Sequence, residues 1–115
     1  MAKNNSDAPV CSLDYAFRRI GGKYKARILW YIHFEQNLLR YGELKRLIQN
    51  ITSKMLTQSL RELEEDKLIH RKVYPVVPPK VEYSLTDTGK ELIPFIEHLG
   101  AWGRKQMDLE NRDKE

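Results

Sequence analysis

The chain has 115 residues, of which 41% are hydrophobic and 31% charged, a balance typical of one soluble globular domain and not of a disordered protein. Its formal net charge is +4, and the excess lies in residues 1–61, which carry eleven Lys and Arg against four Asp and Glu. A single cysteine excludes an internal disulfide and a cysteine-based zinc cluster, and no apolar run approaches the roughly 20 residues that cross a bilayer. The polar start lacks a signal-peptide pattern, so we expect a cytoplasmic protein without a membrane partner.

The first half of the chain has the apolar spacing of α-helices. Four segments with this spacing predict helices over residues 12–20, 23–34, 41–48 and 53–66. A short strand is expected at residues 38–39, between the second and third helices. Thr52 or Ser53 is a good N-cap for the fourth helix, because a hydroxyl can accept a hydrogen bond from an unpaired backbone N–H. Residues 1–10 are expected to form a disordered arm.

After Asp66 the pattern changes from helical spacing to alternation, which predicts two strands around residues 69–74 and 81–85. The proline-rich segment between them, Pro75 to Pro79, predicts a stiff hairpin tip, since proline fixes φ and lacks a backbone donor. A last helix is expected over residues 87–108, followed by a disordered tail at 109–115.

The order of these elements predicts a mainly α fold with a small β-hairpin (α+β), arranged as a winged helix-turn-helix over residues 11–108. The fourth helix is then the recognition helix and the hairpin is the wing. Leu56, Leu60 and Leu63, with Met55, form its expected inner stripe. The residues expected to contact DNA from its outer face are Ser53, Lys54, Thr57, Gln58 and Arg61.

These side chains suit DNA because Gln and Arg can bond adenine and guanine edges, while hydroxyls and Lys suit phosphates or bases. The acidic residues of this helix lie at its other end, where phosphate would repel them. Lys72 and Lys80 of the wing are expected to contact phosphate or the minor groove, and Lys45 and Arg46 of the preceding helix to contact the backbone. For any one of these residues, an ordinary solvated surface position is the alternative.

Several stretches of the chain resemble the HxlR family of bacterial transcriptional regulators. The resemblance covers roughly residues 11–105. It is carried by Cys11-Ser-Leu-Asp-Tyr-Ala, Ile20-Gly-Gly-Lys-Tyr-Lys, Tyr41-Gly-Glu-Leu-Lys-Arg, Leu56-Thr-Gln-Ser-Leu-Arg-Glu-Leu-Glu-Glu-Asp, Tyr74-Pro-Val-Val-Pro-Pro-Lys-Val-Glu-Tyr-Ser-Leu-Thr and Ala101-Trp-Gly. It implies a homodimer, built by the first, second and last helices, that binds inverted-repeat operators. The chain departs from the family pattern at Ser12, Tyr24 and Lys67, where Pro, Trp and Gly are usual. Lys67 would then occupy a helix C-terminal position where glycine adopts a positive φ, so we expect a positive φ at this residue.

The last helix carries more apolar surface than a small winged domain can cover, which also favours a dimer. Gly100 and Gly103 would let a partner helix approach closely. The residues expected in the dimer interface are Leu13, Phe17, Phe95, Leu99 and Trp102.

Cys11 precedes the first helix, where unpaired N–H groups and the helix dipole stabilise a thiolate. The resemblance implies a sensor of oxidants or electrophiles, which with one cysteine per chain would form an intersubunit disulfide or an adduct. A small buried hydrophobe is the alternative interpretation. A small-molecule effector between the dimer helices, lined by Tyr15, Tyr24 and Trp102, also stays open.

No nucleophile–base pair, phosphate-binding loop or metal-ligand spacing is present in the sequence, so we expect neither an enzyme nor a cofactor or bound metal. The remaining alternative function is a winged-helix protein-interaction module.

Overall fold

A computed structural model describes residues 11–114, so the predicted disordered arm at 1–10 lies outside the described part of the chain. The elements in chain order are α1 (Ser12–Ile20), α2 (Lys25–Phe34), β1 (Leu39–Arg40), α3 (Tyr41–Leu47), α4 (Ser53–Glu65), β2 (Ile69–Tyr74), β3 (Lys80–Leu85) and α5 (Asp87–Asp113). This arrangement confirms the predicted fold class, a mainly helical winged helix-turn-helix with a β-hairpin after α4, the predicted recognition helix.

The wing is an antiparallel hairpin of β2 and β3, and β1 adds a third strand, giving the order β1-β3-β2. Ile69 pairs with Leu85 at the base of the hairpin, and Tyr74 pairs with Lys80 at its tip. Leu39 of β1 pairs with Tyr83 of β3, so the short strand lies one residue later than predicted. The sheet therefore anchors the wing to the loop that precedes α3.

The core lies between α2, α4 and the sheet, and its most buried side chains come from the predicted apolar spacing. Its fully buried members are Ile28, Leu29, Ile32, Leu44, Ile48, Leu56 and Leu63. One residue of the expected inner stripe of α4 is wrong, because Met55 is 41% exposed. Each helical residue advances about 100° around the axis, so Met55 lies at the side of the stripe and not in it.

The predicted tail at 109–115 is also wrong over most of its length, since α5 continues to Asp113. Its last turn, residues 110–113, consists of Glu, Asn, Arg and Asp and has no helix-breaking Gly or Pro. The polar composition was interpreted as a tail, but an exposed helical extension needs no apolar stripe to continue its backbone hydrogen bonds.

The junction between α4 and β2 is a helix C-terminal motif with a lysine in the left-handed position. Lys67 has φ 61°. Its N–H donates to the Glu64 carbonyl, and the Leu68 N–H donates to the Leu63 carbonyl, both at 2.9 Å. This is the Schellman pattern, in which the left-handed residue is usually glycine. The turn sets the direction in which the wing leaves the recognition helix.

Candidate nucleic-acid interface

Residues 53–61 of α4 present the predicted DNA-contacting side chains to solvent. Thr52 caps the helix, its hydroxyl oxygen accepting the Met55 N–H at 3.1 Å. The five predicted residues are exposed: Ser53, Lys54, Thr57, Gln58 and Arg61. At about 100° per residue, Lys54, Gln58 and Arg61 lie at the centre of the face opposite the buried leucines. The structure thus brings the predicted polar residues onto one surface.

Thr57 lies on the wing side of that face and is tied to α3 by Tyr41. The Tyr41 hydroxyl lies 3.2 Å from the Ser53 carbonyl oxygen and 3.1 Å from Thr57 Oγ1. Because the tyrosine has one O–H, donating it to Ser53 leaves the threonine hydroxyl to donate to Tyr41. Thr57 would then present only acceptor lone pairs to a ligand. Sequence patterns did not indicate this role for Tyr41, since the two residues belong to different helices.

Gln58 is fixed from the opposite side of α4. Its Nε2 donates to Glu62 Oε2 at 2.6 Å, and Glu62 Oε1 lies 2.6 Å from the Lys25 ammonium of α2. The hydrogen bond from Lys25, and then that from Gln58, hold the pKa of the Glu62 carboxyl below its ordinary value. The i,i+4 spacing of Gln58 and Glu62 was a visible signal for this pair, whereas the contact with Lys25 required the fold.

A cleft of about 510 Å³ separates α4 from the sheet, and two arginines line it. Arg61 enters it from the recognition helix, and Arg71 enters it from β2 at the base of the wing. Tyr41 and Thr57 line the same cleft, together with the Glu64 carboxylate. The cleft therefore joins the recognition helix to the wing in one polar, arginine-lined surface.

At the wing tip, the two predicted lysines flank one aromatic ring. The Lys72 and Lys80 ammonium groups lie 5.0 and 4.7 Å from the centroid of the Tyr74 ring. Lys80 also pairs with Glu82 at 3.3 Å, and the Tyr74 hydroxyl donates to Glu82 at 2.8 Å. That hydroxyl and Lys80 lower the pKa of the Glu82 carboxyl. Lys72 is thus the exposed cation of the pair, while Lys80 is partly neutralised.

The predicted backbone contacts from α3 lie in its last turn, beside the turn that leads to α4. Arg46 is exposed and Lys45 is half-buried. Both cations precede α4 on the chain, and within residues 11–114 no hydrogen bond or ion pair joins them to the predicted DNA-contacting residues of α4.

A separate apolar groove brings together the five residues predicted for the dimer interface. Its volume is about 940 Å³, and Leu13 and Phe17 of α1 line it with Phe95, Leu99 and Trp102 of α5. Their side chains are 61–71% exposed. The groove lies between the first and last helices, apart from the polar cleft between α4 and the wing.

The predicted effector pocket is wrong in its composition. Tyr24 is 5% exposed and belongs to the core. Tyr15 lines a different groove, of about 270 Å³, and Trp102 lines the apolar groove. The three aromatic side chains therefore do not surround one site in the single chain, because Tyr24, the N-cap of α2, is buried in the core.

Cys11 is exposed, so the interpretation of this thiol as a buried hydrophobe is wrong for the single chain. It is the N-cap of α1, and its Sγ accepts the Asp14 N–H at 3.4 Å. Arg18 pairs with the Asp14 carboxylate at 3.0 Å. The thiol is accessible to a reagent at a helix N-terminus.

Across residues 11–114, no three His, Cys, Asp or Glu side chains come close enough together to bind a metal ion. No helix in that part of the chain has the length and apolar character of a membrane span.

Comparison with known proteins identifies the class of regulator to which this fold belongs. The family profile described as HxlR-like helix-turn-helix matches residues 19–111. The chain belongs to the HxlR family. Two Bacillus subtilis HTH-type transcriptional regulators are similar to this chain. YdeP is 45% identical over 91% of this chain and 80% of its own length. YtcD is 48% identical over 84% of this chain and 75% of its own length.

Two solved structures of regulators share the same architecture. The redox regulator HypR in its reduced form superposes with a TM-score of 0.80 at 39% identity, covering 89% of this chain and 99% of that one. YtcD superposes with a TM-score of 0.77 at 47% identity, covering 85% and 98%. The chain is accordingly a transcriptional regulator with an HxlR-type winged helix, and its relatives are regulators and not enzymes.

Proposed function

We propose that this HxlR-family protein binds an inverted-repeat operator as a homodimer, placing α4 of each protomer in the major groove. The observation that carries the proposal is the exposed surface of Lys54, Gln58 and Arg61, which continues through the arginine-lined cleft into the wing. Side chains that can read base edges lie within residues 53–61 of α4, and cations lie beside them. Operator binding also places the protein in the cytoplasm.

In this arrangement the base readers and the backbone contacts are divided between elements. Gln58 and Arg61 contact base edges, while Ser53, Lys54 and Thr57 contact bases or phosphates. Lys72 contacts phosphate or the minor groove from the wing. Arg46 and Lys45 of α3 contact the sugar-phosphate backbone of the DNA. Lys80 contributes less than Lys72, because Glu82 already pairs with it.

The apolar groove between α1 and α5 supports the homodimer. Five large apolar side chains more than half exposed are unusual on a stable monomer. A two-fold partner that fills this groove places the two recognition helices about 34 Å apart, one turn of DNA. Sedimentation should give a dimer at micromolar concentration. Trp102→Glu, which puts a negative charge into the groove, should give a monomer, and Asn111→Glu, which adds the same charge on the exposed last turn of α5, serves as the matched control.

The test of DNA binding is a footprint on the DNA upstream of the protein's own gene. We expect two protected patches centred about one helical turn apart. Arg61→Ala should remove protection at one position in each patch, while Lys90→Ala, on the exposed surface of α5 and outside both α4 and the wing, leaves the footprint unchanged. Protection of one patch only would contradict the dimer, and no protection anywhere would contradict operator recognition in that DNA.

We also infer that thiol modification of Cys11 controls this binding. The exposed thiol at the N-cap of α1 supports the inference, as does the similarity to HypR, a redox regulator solved in oxidized and reduced forms. With one cysteine per chain, diamide would accept two electrons and two protons from two thiols, leaving an intersubunit disulfide; an electrophile would form an adduct instead. Diamide should change operator affinity of the unsubstituted protein and not of Cys11→Ser. An equal response of both proteins would exclude sensing through this thiol.

A further inference from the structure

A three-residue chain of hydrogen bonds links α2 to the centre of the recognition surface. Lys25, the first residue of α2, contacts one oxygen of Glu62, and Gln58 contacts the other. The Lys25 side chain is only 14% exposed, whereas Glu62 is 38% exposed. The carboxylate therefore has a fixed cationic partner on the protein side and an amide partner on the DNA-facing side.

This arrangement determines which way the Gln58 amide faces. An ionised carboxylate only accepts hydrogen bonds, so the amide nitrogen must face Glu62, and the reverse orientation would set oxygen against oxygen. An amide nitrogen has two N–H groups, and one of them donates to Glu62. The second N–H and the Oε1 acceptor of Gln58 stay available for a ligand.

We propose that Glu62, held by Lys25, is a positioning residue that orients Gln58 to read adenine in the operator. This inference rests on the proposed function. Adenine offers an N6 amino donor and an N7 acceptor side by side in the major groove, and these match the Oε1 and the remaining N–H of Gln58. Thymine presents an acceptor and a methyl group at that place, so it cannot satisfy the oriented Oε1.

Two physical effects follow from orienting the glutamine before DNA arrives. A free glutamine side chain has three rotatable bonds and loses that freedom on binding, so a side chain already fixed loses less. Glu62 is a carboxylate beside a surface that receives phosphates, and the ammonium of Lys25 offsets its repulsion. The lowered pKa of Glu62 agrees with a carboxylate that stays ionised at neutral pH.

Glu65 provides a matched control for this position. It is an exposed carboxylate on the same outer face, one turn further along α4, and no ion pair or hydrogen bond involves its side chain within residues 11–114. Removing Glu65 takes away a negative charge without touching Gln58. Its removal should raise affinity for all sequences equally and leave base preference unchanged.

The experiment is selection from a library of randomised operator half-sites, with the unsubstituted protein, Gln58→Ala, Glu62→Ala, Glu62→Gln and Glu65→Ala. The unsubstituted protein should prefer adenine at one position, and Gln58→Ala should lose that preference. Glu62→Ala should reduce the preference for adenine at the same position by about 5- to 10-fold. This is part of the discrimination that a bidentate base contact gives. Glu62→Gln has one acceptor oxygen for the two donors Lys25 and Gln58, so it should lose part of the adenine preference.

The double variant Gln58→Ala/Glu62→Ala should show the preference of Gln58→Ala alone, since Glu62 acts through Gln58. Lys25→Met, which leaves α4 itself unchanged, should relax the same base position as Glu62→Ala. If Glu62→Ala selects the same adenine as the unsubstituted protein, or relaxes several positions equally, the positioning role is overturned while operator binding stands. If the unsubstituted protein selects no sequence at all, the proposed function fails, and this inference fails with it.

Discussion

Replacement of Lys67 by glycine should stabilise the protein, because the left-handed backbone at this residue suits glycine and strains any side chain with a Cβ. Lys67 has φ 61° and ends α4 in a Schellman motif. Relief of the strain contributes about 1–2 kcal/mol. The greater freedom of glycine in the unfolded chain costs about 0.4–1 kcal/mol, and loss of a cation near the helix C-terminus costs about 0.3 kcal/mol. The net gain is about 0.5 kcal/mol, or roughly 2–4 °C in Tm for a domain of this size.

The assay is thermal and urea unfolding followed by circular dichroism, at one fixed protein concentration because a dimer makes Tm depend on concentration. Lys67→Ala is the matched control, since it removes the charge and keeps the Cβ. The free energy of unfolding of Lys67→Gly should exceed that of Lys67→Ala by about 1 kcal/mol. At Lys90, in the second turn of α5, the order of stability should reverse: the glycine variant should be about 1 kcal/mol less stable than the alanine variant. Alanine equal to or better than glycine at residue 67 would refute the reasoning from backbone strain.

Three further predictions test other contacts. Tyr41→Phe removes the hydroxyl that holds Thr57, so we expect weaker operator binding by about 3- to 10-fold with little change in Tm, measured by fluorescence anisotropy; unchanged affinity would contradict it. Gly89→Ala would place a Cβ 2.2 Å from the Leu68 carbonyl oxygen, and urea unfolding should show a loss of about 1–3 kcal/mol. The folded pKa of Glu62 lies below its ordinary value of 4.5. Its stabilising contribution is therefore present above about pH 4.5 and is lost as pH falls through the lowered pKa. In Glu62→Gln, the free energy of unfolding should fall less steeply with decreasing pH over this acidic range.

The sequence was sufficient for those parts of the fold that depend on local spacing and turn chemistry. The boundaries of α1 matched the prediction, and α4 ended within one residue of it, because apolar residues repeat on one face and a hydroxyl or a glycine pair marks the ends. The hairpin followed from alternation on both sides of the prolines. The positive φ expected at Lys67 was also confirmed.

The features that the sequence did not reveal depend on contacts between elements or on exposed polar helix. Tyr24 was interpreted as a ligand-facing aromatic, but the packing of α2 buries it. Tyr41 and Lys25 contact α4 from other helices, and nothing in their own neighbourhoods indicates which residue they meet. The extension of α5 past residue 108 has no apolar stripe, so hydrophobic periodicity could not detect it.

The most direct test of the central claim, that the surface of α4 and the wing binds DNA, is the salt dependence of affinity for a duplex from the upstream region. If each protomer makes about three phosphate contacts, the logarithm of the association constant should fall against the logarithm of salt concentration with a slope of about −5. Affinity should then drop about 10³-fold between 50 and 200 mM salt, and Lys54→Ala should reduce the slope by about 2 in the dimer, one contact from each protomer. A slope near zero, or no binding at low salt, would contradict the account and favour a docking module that binds protein.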